Sequence, residues 1–142
     1  MNTQPVVLPD TLHETILDFV RHWTQLLAQE RFADATNILQ ALPDGAARYS
    51  IEKLKTAIGM YDKNFRRASP EEREQFRRIV SDPATMDVEG ERFDVYKRAT
   101  GDEVIVEYRL PLDGEWSDLT AIFEAFPIEN GYQIGLHDLR VL

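Results

Sequence analysis

By pattern, the carboxylate of Asp138 and the phenol of Tyr108 are the side chains best placed for acid–base work. In the last apolar run Ile134 and Leu136 share one parity, whereas Leu139 and Val141 have the opposite one. Two arrangements account for that break. A β-bulge near His137 and Asp138 would re-aim the strand and return Leu139 to the apolar side. In a regular strand, Asp138 and Arg140 would instead project over the core. Ionised groups there are costly unless a polar pocket receives them. The second arrangement therefore predicts a buried site with Asp138 as general base and Tyr108 as hydrogen-bond donor, and with Arg140 and Trp23 in its lining.

Other catalytic signatures are absent. Ser50, Ser69, Ser81 and Ser117 lie in no G-x-S-x-G nucleophile elbow. The seven glycines are isolated, with no P-loop or dinucleotide fingerprint. His13 and His22 are nine positions apart, which places them on opposite sides of a helix with about 3.6 residues per turn. His137 is at the far end of the chain, and there is no HExxH motif or cysteine. The expectation is no metal, no cofactor and, without an Asp138 pocket, no catalysis.

Charge is distributed unevenly. Residues 81–142 hold 14 acidic and 5 basic side chains, which accounts for the whole net charge of −9. A field of that sign disfavours phosphate backbones and favours a basic partner or simple solubility. Lys63, Arg66, Arg67, Arg73, Arg77 and Arg78, with Phe65 and Phe76 among them, form a basic segment. Glu71, Glu72 and Glu74 interrupt it, so it reads as a solvated helix face laced with ion pairs, not a nucleic-acid surface. The opening residues MNTQPVVLPD have no basic leader followed by an apolar core. No run reaches the roughly 18 apolar residues of a membrane span. The expectation is a cytoplasmic protein in contact with neither nucleic acid nor membrane.

The elements that must position these residues follow from periodicity. Thr11 and Glu14 form a capping box. Leu12, Ile16, Phe19, Val20, Trp23, Leu26 and Leu27 then make one helical stripe, with Asp18, Arg21, His22 and Gln25 on the wet face. A second helix is predicted over residues 32–42, stopped by Pro43-Asp44-Gly45. A third, capped by Ser50, carries Ile51, Leu54, Ile58 and Tyr61. Ser69-Pro70-Glu71-Glu72 starts a fourth, over residues 70–80, with Phe76, Ile79 and Val80 as its apolar stripe. Beyond Pro83 the period becomes alternating. Turns at Thr100-Gly101, Asp113-Gly114 and Asn130-Gly131 divide four strands of an antiparallel meander. The reading is a single α+β domain over 1–142, with helices over about 11–80 and the meander over about 91–142.

A two-residue type I′ loop at Asp113-Gly114 sets a register in which Leu112 faces Glu115 and Pro111 faces Trp116. Continued regularly, it pairs Val104 with Phe123, Val106 with Ala121, Tyr108 with Leu119, Ile105 with Ile122 and Arg109 with Asp118. The inner face then carries Val95, Val106, Tyr108, Leu119, Ala121, Phe123, Ile134 and Leu136, packed on the first helix. The outer face carries Tyr96, Ile105, Thr120 and Ile122 among charges. More apolar than a wet surface requires, it predicts a homodimer through the sheet, with Tyr96, Ile105 and Ile122 in the interface. Trp116, at the hairpin end, is either packed on Pro111 or a partner anchor.

The run F-V-x-x-W-x-x-L-L-A at residues 19–28, Phe32-Ala33-Asp34-Ala35, and the closing meander ending Asp138-Leu139-Arg140-Val141-Leu142 together resemble the nuclear-transport-factor-2-like superfamily. The resemblance covers about the first 45 and last 50 residues. It implies a cystatin-like cone: a curved sheet wrapped on helices, often dimeric through the sheet. The superfamily includes isomerases, dehydratases, polyketide-cyclase-like enzymes and non-catalytic binding domains, and its enzymes generally aim an Asp or His into the cone. No motif here matches that site residue by residue. The extra segment around 62–90 departs from the family layout and has the length to cover the cone mouth. Residues 110–120 are similar to a segment of uncharacterised bacterial proteins, which implies no activity. The functional expectation is a non-catalytic binding or accessory domain acting by protein–protein contact, with a basic protein partner. The alternative is a small-molecule-binding cone or a polyketide-cyclase- or isomerase-like enzyme using an inward Asp138.

Overall fold

The computed structural model describes residues 12–39, 49–59, 61, 69, 71, 78–97, 102–129 and 131–141. Helix α1 (Leu12–Ala28) buries Ile16, Phe19, Val20, Trp23, Leu26 and Leu27, the stripe expected from spacing. It closes with the Arg31 N–H donating to the Leu26 carbonyl at 2.8 Å and the Glu30 N–H to Leu27 at 3.0 Å. Glu30 takes φ +58° in that reversal, the left-handed position a helix end commonly uses. Thr11 of the capping box lies outside the described residues.

Helix α2 (Phe32–Asn37) is shorter than expected, ending before Ile38 and Leu39, which lie in a turn; residues 40–42 of its expected extent lie outside the described residues. Helix α3 (Ile51–Gly59) starts as predicted, the Ser50 hydroxyl accepting the Lys53 N–H at 3.0 Å. Most of the expected fourth helix, and the basic segment with it, also lies outside the described residues, but its C-terminal end is corrected. Val80 is extended and bridges Leu112, while Ile79 is 63% exposed. The hairpin end captures this backbone: the Asp113 N–H donates to the Ile79 carbonyl at 2.8 Å, and the Ser81 N–H to Pro111 at 2.9 Å.

Two short 3₁₀ turns, Pro83–Thr85 and Val88–Gly90, lead into the sheet. Strands β1 (Phe93–Lys97), β2 (Val104–Leu112), β3 (Glu115–Ile128) and β4 (Gly131–Val141) form a curved antiparallel meander in the order β1-β2-β3-β4. Asp113 and Gly114 both take positive φ, +52° and +82°, as a type I′ turn requires. Leu112 faces Glu115 and Pro111 faces Trp116, as read from the sequence.

Past that point the expected register is wrong by two residues. Val106 pairs with Phe123, Tyr108 with Ala121, Val104 with Ala125, Ile105 with Glu124 and Arg109 with Thr120. The shift falls between Arg109 and Pro111. Pro111 has no N–H to give the ladder, which confines proline in sheets to edges and bulges. The Leu110 carbonyl is meanwhile taken by the Ser117 hydroxyl at 2.7 Å. Because the offset is even, it moves the partners of Val104 to Arg109 yet leaves these residues, and Thr120 to Ala125 opposite them, on their expected faces. Arg109 loses the expected ion pair; Asp118 instead accepts the Tyr61 hydroxyl at 2.5 Å.

A second irregularity lies in β4. Phe123 pairs with Leu136 and Ile122 with Asp138, so His137 is the extra residue of a bulge. It swings outward, its Nδ1 3.4 Å from Glu124 Oε1. The parity break is thereby resolved in favour of the bulge: Leu139 is buried, and Asp138 sits beside Ile122 on the outer face.

The core lies between α1 and the inner sheet face. Trp23 meets Phe123 edge-on at 5.1 Å between ring centroids, and Phe19 meets the same ring at 6.4 Å. Trp23, Tyr108 and Phe123 are its largest fully buried side chains, and the Trp23 indole N–H has no acceptor. Trp23→Ala is expected to cost about 3–5 kcal/mol. Trp23→Phe should cost markedly less, because it removes an unpaired polar atom along with the volume. Urea unfolding of both variants checks this; equal losses would mean that the indole N–H is paired. Deleting His137 leaves Leu136, Asp138 and Leu139 in regular alternation. That deletion should retain cooperative thermal unfolding at a cost near the ~1 kcal/mol of an average single change.

Candidate functional site

Asp138 does not enter the core. Its side chain is about one-third exposed, accepts the Tyr49 hydroxyl at 3.1 Å, and lies 3.4 Å from Arg140 Nε. Burial, then the neighbouring Asp138, pushes the Tyr49 phenol up to about 12. Tyr108 is on the opposite sheet face, cross-strand from Ala121, whereas Asp138 is cross-strand from Ile122. The four residues expected to share a pocket are therefore separated. Trp23 and Tyr108 are core residues, and Asp138 and Arg140 form an outer-face pair at the end of β4.

The outer face offers less to a second copy than its sequence implies. Ile105 and Ile122 are already 6% and 5% exposed in a single chain. Tyr96 is 48% exposed, but its hydroxyl is committed to Glu107 at 2.7 Å. Trp116 is no free anchor either, because its Nε1–H donates to the Asp87 carbonyl at 2.7 Å and its ring meets Tyr108 edge-on at 6.2 Å.

The structure instead assembles a site around a residue the sequence reading passed over. Glu91 accepts three hydrogen bonds: Arg21 Nε at 3.0 Å, Arg21 Nη2 at 2.5 Å and the Tyr108 hydroxyl at 2.8 Å. Two of the donors come from α1 and one from β2, so one carboxylate ties the 3₁₀ segment to both layers. Burial of Glu91 works to raise its pKa, but the bonds from Arg21 and Tyr108 outweigh it and hold the group below its usual range. Burial, then the bond to Glu91, pushes the Tyr108 phenol well above its ordinary value, and Arg21 is raised chiefly by the same carboxylate.

Above this network lies a cleft of about 220 Å³. Its polar floor is Arg21, Gln25 and Glu91; Pro83, Ala84, Met86, Val88 and the Trp116 ring supply apolar walls. Gly90 permits the Trp116 wall: a Cβ there would stand 2.3 Å from Trp116 Cδ1. Asp82 and Asp87 cap the two 3₁₀ turns through the N–H groups of Ala84 and Glu89 at 2.9 and 3.0 Å. Together with Glu89, they ring the segment with negative charge.

The sequence held few signals for this site. Residues 81–91 show neither helical nor alternating period, and only Gly90 hints at a close approach. Arg21 and Gln25 were assigned to the wet face of α1, but both are half-buried under this segment. Both Glu91 oxygens are already engaged and Tyr108 is sealed from solvent. Among the described residues no group of three metal-ligating side chains occurs, and no helix is long and apolar enough to cross a membrane. No protein-family model, curated protein or solved structure matches this chain.

Glu91→Gln should lower stability at neutral pH by about 1.5–3 kcal/mol, the range for hydrogen bonds to a charged group. The folded pKa is depressed, so the ionised carboxylate stabilises above the unfolded carboxylate value near ~4.3 and ceases to as pH falls through the folded value. The gap between the parent chain and Glu91→Gln should therefore be constant near neutral pH and narrow progressively as pH falls below about 5. Chemical denaturation across that range checks it; a gap independent of pH would show that the charge plays no part.

Proposed function

We propose that this chain is a non-catalytic binding domain of the cytoplasm that acts by protein–protein contact with a basic partner. The observation that carries the reading is the filled interior. Trp23, Tyr108 and Phe123 occupy the space between α1 and the sheet, where an enzyme of this architecture would need its substrate cavity. The packing of α1 on a curved antiparallel meander supports the nuclear-transport-factor-2-like cone as the fold adopted. In that cone a catalytic carboxylate would point inward, but Asp138 points out. Fold alone assigns no activity. The acidity of residues 81–142 gives the partner its sign, and the exposure of Asp87, Glu89, Asp94, Asp102, Glu115 and Glu129 makes that charge available.

The reading predicts capture, on the immobilised full chain, of a protein with a basic isoelectric point. That protein should be released as salt rises from about 0.1 M to about 1 M, which shortens the screening length from about 10 Å to about 3 Å. Retention indifferent to salt, or of acidic proteins only, would refute it. A homodimer through the outer sheet face would show as a doubled mass by light scattering; with Ile105 and Ile122 already buried, a monomer is expected.

A further inference from the structure

The cleft over Arg21 and Glu91 combines apolar walls, a compensated charged floor and an acidic flank. It is about 220 Å³ and walled mainly by apolar side chains. Val88 stands 70% exposed at its rim. Asp82, Asp87 and Glu89 flank it with no ion-pair partner among the described residues, and the next cation along the segment, Arg92, spends its Nη1 on the Glu89 and Glu91 carbonyls at 3.0 and 3.2 Å. Arg21, the one cation in its lining, is neutralised by Glu91. A charge entering the cleft would thus meet no uncompensated partner and would lose hydration, whereas an aliphatic side chain would gain apolar contact. Cations belong outside, at the rim.

We propose that this cleft receives one large aliphatic side chain of a partner peptide whose adjacent residues are lysine or arginine, the basic groups pairing with Asp87 and Glu89. The Trp116 ring, held by the Asp87 carbonyl and Tyr108, forms the rigid wall against which the aliphatic group packs. Rigid aromatic walls in desolvated pockets are where binding energy concentrates, while rim charges act mainly on encounter rate and salt dependence. The assignment rests on the basic-partner reading above and narrows it to a place and a peptide chemistry.

The test is selection from a random peptide library on the immobilised full chain, repeated on Ala84→Phe, which fills the cleft from an exposed position, and on an Asp87→Asn/Glu89→Gln double variant, whose Asn retains the cap. Far-ultraviolet circular dichroism of each variant confirms that it is folded. Enriched peptides are expected to carry Leu, Ile or Met beside Lys or Arg. The affinity of a synthesised winner should fall at least tenfold on Ala84→Phe, and its salt dependence should flatten on the double variant. In the Trp23→Phe background, the same peptide should shift the emission of the remaining Trp116. Basic peptides bound equally by Ala84→Phe would overturn the cleft and leave the basic-partner reading standing. Enrichment without Lys or Arg would overturn both, and no enrichment would overturn the cleft.

Discussion

The edge-on contact between Trp23 and Phe123 sets the distance and angle at which α1 lies on the sheet, and other features depend on that separation. Phe19 closes on the same ring from the preceding turn. With α1 fixed there, Arg21, two residues before Trp23 and on the side of the helix away from the buried stripe, comes within reach of Glu91. The wet flank of α1 becomes the floor of a cleft only because the helix is held at this height by its aromatic underside. Aromatic pairs of this kind contribute about 0.5–1.5 kcal/mol beyond their buried area. Their geometric role here is larger than that figure implies.

The sheet accommodates two irregularities without losing its faces. The β2–β3 ladder slips by two residues at Pro111, and β4 takes one extra residue at His137. An even slip preserves side-chain parity. The single extra residue instead inverts it, restoring the parity that the sequence of β4 had broken. Both devices serve one constraint: Ala121, Phe123, Leu136 and Leu139 must all face α1. This also explains why Asp138 ends outside the core. Its neighbour Leu139 has the stronger claim on the interior, because an unpaired carboxylate there would cost several times what a leucine gains.

The segment from Arg78 to Glu91 ties the layers together at their margin. Val80 bridges the hairpin end, Asp113 accepts both Arg78 Nη1 and the Ile79 N–H, and Ser81 accepts the Gly114 N–H. Glu91 then anchors the other end on α1 and Tyr108. Between these anchors the chain follows capped 3₁₀ turns, which expose Asp87, Val88 and Glu89. A short, doubly anchored segment with an acidic and apolar crest is suited to recognition, which needs a surface presented at low conformational cost.

The α+β class, the stripe of α1, the start of α3 at Ser50 though not its end, the four strands in order and the type I′ turn were legible in the sequence, because each rests on local periodicity or a local turn. The two sheet faces were legible for the same reason. The β2–β3 pairing was not, although Pro111 stood in the strand as its signal: register past a bulge depends on where the Leu110 carbonyl finds a donor, and Ser117 supplies it from the opposite strand. The choice between a bulge and an inward Asp138 likewise lay open in the sequence, since both fit the same residues. Packing against α1 decided it. The cleft was legible least, because Arg21, Glu91, Tyr108 and Trp116 lie on separate elements whose spacing carries no shared period. Local order follows from neighbours along the chain; the position of Glu91 between two layers follows only from how those layers pack.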